Sequence, residues 1–175
     1  MIEIGNSEQG LFTEVLEREF TSAMQMLREF PADRLDDRPR DCEKSARELA
    51  IGFLERERAI HHVLRGRPAD RGAAAPSSLH EIVGTFEAAH RETRETLANL
   101  TAEDWGESIR GPVGLGMWDR ARRGELLWLA LKELIAQDSH FAVHLRLARE
   151  EQAPTSREMR SLSFATANAA RTPAV

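Results

Sequence analysis

From Glu125 to Glu150 the chain reads ELLWLALKELIAQDSHFAVHLRLARE, and this run constrains the fold more than any other. Leu127, Leu131, Leu134, Phe141, Leu145 and Ala148 recur at threes and fours, the interval that lines up side chains on one face of an α-helix. Glu133, Gln137, His140 and His144 follow at spacings of four, three and four, so they form a ladder along one side of the same helix. Such a ladder is either a site or the remnant of one.

The same interval recurs three times upstream. Phe12, Leu16, Phe20, Ala23, Leu27 and Phe30 make a first helix that stops where Phe30 meets Pro31, because proline disfavours a helical residue before it. After the polar segment PADRLDDRPRDCEK, Ser45 can cap a second helix, with Glu48 completing a capping box. Ala46, Leu49, Phe53, Ile60 and Val63 form its stripe, and it ends near Gly66 and Pro68. Ser77 or Ser78 caps a third helix running to about Leu100, with Leu79, Ile82, Phe86, His90, Thr93, Leu97 and Leu100 inward. The segment TAEDWGESIRGPVGLGMWDRAR reads as a loop, and no strand pattern competes anywhere. The expected fold is therefore all-α, a four-helix bundle with long connections between helices 1 and 2 and between helices 3 and 4. It spans residues 1–152, and residues 153–175 form a tail without sustained periodicity, in which Leu162 and Phe164 can dock on the bundle.

Charge and composition narrow the function classes. The net charge is -5, from 24 Lys+Arg against 29 Asp+Glu, with the two signs interspersed. A nucleic-acid groove needs a net basic face, so no nucleic-acid partner is expected. No run approaches the roughly 18 apolar residues of a membrane span, and there is no signal segment, so no membrane partner is expected and a cytoplasmic location is the simplest. The lone Cys42 fits a reducing compartment and reads as an incidental surface thiol, since no histidine lies near it in sequence. The chain has no phosphate loop, nucleophile elbow or tyrosine, so these routes to catalysis have no support and the catalytic residues stay unknown.

The order FPADRLDDRPR, SARELAIGFLERE, SSLHEIVGTFEAAHRETRETLANL and LLWLALKELIAQDSHFAVHLRLA resembles the DinB-like family of four-helix bundles over about residues 8 to 150. The family is bacterial and often dimeric, and it includes damage-inducible proteins of unknown activity, metal-dependent thiol transferases and the mycothiol-dependent maleylpyruvate isomerase. Its usual site holds a divalent metal with one histidine from the second helix and two from a His-x-x-x-His on the fourth, followed by Arg-Gly-Gln. The resemblance puts Gly52, Glu133 and Gln137 at those three ligand positions, and Asp138, Ser139 and His140 where Arg-Gly-Gln would stand. Glycine offers no ligand atom and a neutral amide is a poor zinc ligand, so the family's metal site is not retained.

Two readings follow. In the first, the former site is a polar pocket built from Gly52, Glu55, His90, Glu133, Gln137, His140 and His144, serving binding or interaction with an unknown small molecule. In the second, zinc or nickel is recruited by His140 and His144, or by Gln137 with His140, plus His90, Glu55 or Glu48, and the protein is a metal-dependent thiol or small-molecule transferase. Glu133 and His144 are about 16 Å apart along the helix axis, too far to share one ion. Homodimerisation is expected from the resemblance and from an apolar patch around Trp118 and Trp128. His61 and His62 read as capping residues at the end of the second helix, His80 as solvated and His90 as a core histidine with one hydrogen bond.

Overall fold

A computed structural model describes residues 4–39, 42–66, 75–114 and 117–152. Four long helices dominate it: α1 (Ile4–Glu29), α2 (Ala46–Arg65), α3 (Leu79–Ala98) and α5 (Arg123–Gln152), with a short α4 (Ala102–Gly106) before the last. Contacts run from α1 to α5, from α5 to α2, from α2 to α3 and from α3 back to α1, which closes the four around one core. No described helix is long and apolar enough to cross a membrane. The tail expected over residues 153–175 lies outside the described residues.

The helix ends follow from local chemistry. Ser45 Oγ accepts from the Glu48 amide at 3.2 Å while Glu48 Oε2 accepts from the Ser45 amide at 2.7 Å, a complete capping box. Gly66 closes α2 in the left-handed region at φ 63°. Ser78 caps α3, whereas Ser77 donates to Glu81 from its amide and hydroxyl. Asn99 ends α3 at Ala98, two residues before the expected Leu100.

The loop expected before the last helix is a correction. Residues Ser108–Gly114 (β1) and Met117–Arg122 (β2) pair as an antiparallel hairpin, with Ile109 opposite Ala121 and both packed against the core. Arg110 and Arg120, opposite each other one step along, take the other face, so the period is two. Arg123 locks the hairpin to the helices: its amide donates to the Glu107 carbonyl, and its buried guanidinium reaches the Asp104 carbonyl at 2.9 Å and the Glu107 carboxylate at 2.6 Å. The helix therefore starts at Arg123, two residues ahead of Glu125, where the helical run was expected to begin.

The stripes read from the sequence meet as one core. Phe12, Phe53, Phe86 and Phe141 are completely buried, and Phe53 sits 5.8 Å from Phe86 and 5.5 Å from Phe141 between ring centroids. Each such ring contributes about 1.5–3 kcal/mol through burial. Trp105 and Trp128 both pack against Phe12, at 5.5 and 5.2 Å, so Trp128 serves the core more than any outer patch. The Trp118 side chain lies outside the described residues.

Candidate functional site

Of the three positions that correspond to a metal site by resemblance, Gly52 and Gln137 meet where α2 crosses α5, and Glu133 lies one turn away on the exposed edge. Gln137 is buried, and its Nε2 donates to the Leu49 carbonyl at 2.6 Å, using the lone pair that the helix leaves free. Gly52 makes this approach possible. A Cβ placed there would lie 2.7 Å from the amide carbon of Gln137, so the amide occupies the space a side chain would fill. Glu133 is exposed and stands 3.8 Å from Arg56 of α2, a screened surface pair worth at most about 1 kcal/mol.

The ladder on α5 splits in two. At about 100° per residue, Gln137 and His144 rotate about 20–40° to one side of Glu133, while His140 rotates about 20° to the other. The small difference is decisive at the edge of a helix interface: Gln137 and His144 are buried, whereas Glu133 and His140 are exposed. Beyond Gln137, α5 and the α1–α2 connection bound a cleft of about 410 Å³, lined by Cys42, Lys44, Leu49, His140, Val143 and His144 together with Glu43. A second cleft of about 270 Å³, lined by Arg34, Asp37, Arg38 and Leu147 among others, lies on the other side of His144. His144 is only 5% exposed, and among the described residues no hydrogen bond reaches its imidazole. Burial, and secondarily the neighbouring His140, holds its pKa below the usual imidazole value.

Other expected donors are elsewhere. His90 is buried on α3, its Nδ1 3.0 Å from Glu57 Oε1 and its Nε2 3.5 Å from Glu17 Oε1, and its ring stacks on Phe20 at 3.7 Å. Glu55 is exposed, and Glu48 serves the capping box and pairs with Arg38. These three do not join His140 and His144, so the pocket expected from seven residues is divided among the α2–α5 seam, the cleft and the core. Among the described residues no three His, Cys, Asp or Glu side chains group in a way that could hold a metal ion. His61 packs on α3, with Nε2 3.3 Å from the Thr96 hydroxyl, instead of capping its own helix. His80 is exposed, as expected.

Two residues escaped the sequence reading. Glu57, with no exposed surface, lies four residues after Phe53 and three before Ile60, so the spacing of the stripe itself marks it as inward. Cys42 shares a cleft with His140 and His144 across nearly a hundred residues of chain, a proximity without local signal. In comparison with known proteins, no family model matches the chain and no curated protein matches it.

Proposed function

We propose that this protein is a DinB-like helical bundle that binds a small molecule in the cleft beside His140 and His144, its former metal position being filled by protein. The observation that carries this reading is the Gln137 amide, closed on Gly52 and bonded to the Leu49 carbonyl. Gly52 and Gln137 touch across two helices, and Glu133, one turn before Gln137, pairs with Arg56, one turn after Gly52, a proximity of the three positions that supports the family resemblance. The seam itself has no room for a ligand, so binding shifts along α5 to the open cleft, whose Leu49 and Val143 walls suit an apolar body.

Untagged protein should contain far less than one metal ion per chain by elemental analysis and gain no thermal stability from zinc or nickel. It should bind anilinonaphthalene sulfonate saturably, and the exposed Val143→Asp should abolish that binding. Gly52→His with Glu133→His and Gln137→His should create a zinc site, whereas Gly52→His alone should not. Failure of the triple variant would mean the helices do not converge as the family's do. A metal-dependent thiol or small-molecule transferase is the second reading, favoured by His140 and His144 lining one cleft. Near-unit metal occupancy that is lost in His140→Ala would establish it in place of the first. The reading includes self-association through the apolar residues that α5 exposes, Leu129, Ile135 and Val143. A monomer mass in light scattering would retire that part.

A further inference from the structure

We draw no further inference here: the strongest candidate, the buried side-chain cluster of Glu17, Glu57 and His90 where α1, α2 and α3 meet, carries none, because its side chains pair with one another and do not group as the ligands of a metal ion would.

Discussion

Glu57 is the residue where burial and charge conflict most directly. Its side chain has no exposed surface, one carboxylate oxygen faces His90 Nδ1 at 3.0 Å, and the other has no partner among the described residues. Desolvating a carboxylate costs several kcal/mol, and the imidazole offsets this only while the pair is intact. Glu57→Ala should therefore destabilise the protein by about 3–5 kcal/mol, since it leaves His90 buried without an acceptor on that side. Replacing both residues by leucine should cost much less than either alanine change, because two apolar groups need no partners. Urea unfolding of Glu57→Leu, His90→Leu and the double leucine variant gives the coupling directly. Additive losses would show that the contact is incidental. His90 also stacks on Phe20, so His90→Leu keeps that packing where His90→Ala does not.

At the scale of elements, the seam between α2 and α5 is set by a glycine and an amide that fill one space. Gly52→Ala gains about 1 kcal/mol of helix propensity but drives its Cβ into the Gln137 amide and breaks the bond to Leu49, so a net loss of about 1–2 kcal/mol is expected. Adding Gln137→Ala should recover much of that loss, because the small pair again fits; chemical denaturation of both variants checks it. Absence of recovery would mean the helices, not the amide, resist the methyl group. The helices themselves were legible because burial repeats at the helical interval: each stripe from Phe12 to Ala148 faces the core, and the Ser45 box stands where its residues put it. The hairpin was not, since Pro112 and three glycines replace the β-branched residues that mark strands and only Ile109 and Ala121 show its inner face. For the site, the resemblance placed Gly52 and Gln137 together, but no local pattern says which edge of α5 is covered. Glu133 and His140 differ from Gln137 and His144 by only a fraction of a turn.

For the whole molecule, the response to acid is a sum over groups whose proton affinity changes on folding. His144 is held below the usual 6.5 by burial and then by His140, and His61 by burial and then by Arg65. Between its folded and unfolded pKa each ring binds its proton only in the unfolded chain, so stability falls as pH drops below about 6.5. A second window opens below the ordinary carboxylate values. There Glu48, Glu81 and Asp104 are held down by hydrogen bonds from Ser45, Ser77 and Thr101, and protonation loosens the starts of α2, α3 and α4. Asp138 opposes this trend: burial raises its pKa, the Ser22 hydrogen bond offsets part of the rise, and Glu19 adds to it. It takes its proton more readily folded than unfolded, so its charge costs stability at neutral pH and acidification removes the cost. Asp138→Asn should accordingly raise the urea midpoint at pH 7, with the advantage shrinking as pH falls toward 3.8. His61→Gln with His144→Gln should flatten the decline between pH 7 and 5 and leave the carboxylate limb in place. A double variant that declines as steeply as wild type would assign the upper limb to other groups, while the effect of Asp138→Asn would still report on its own site.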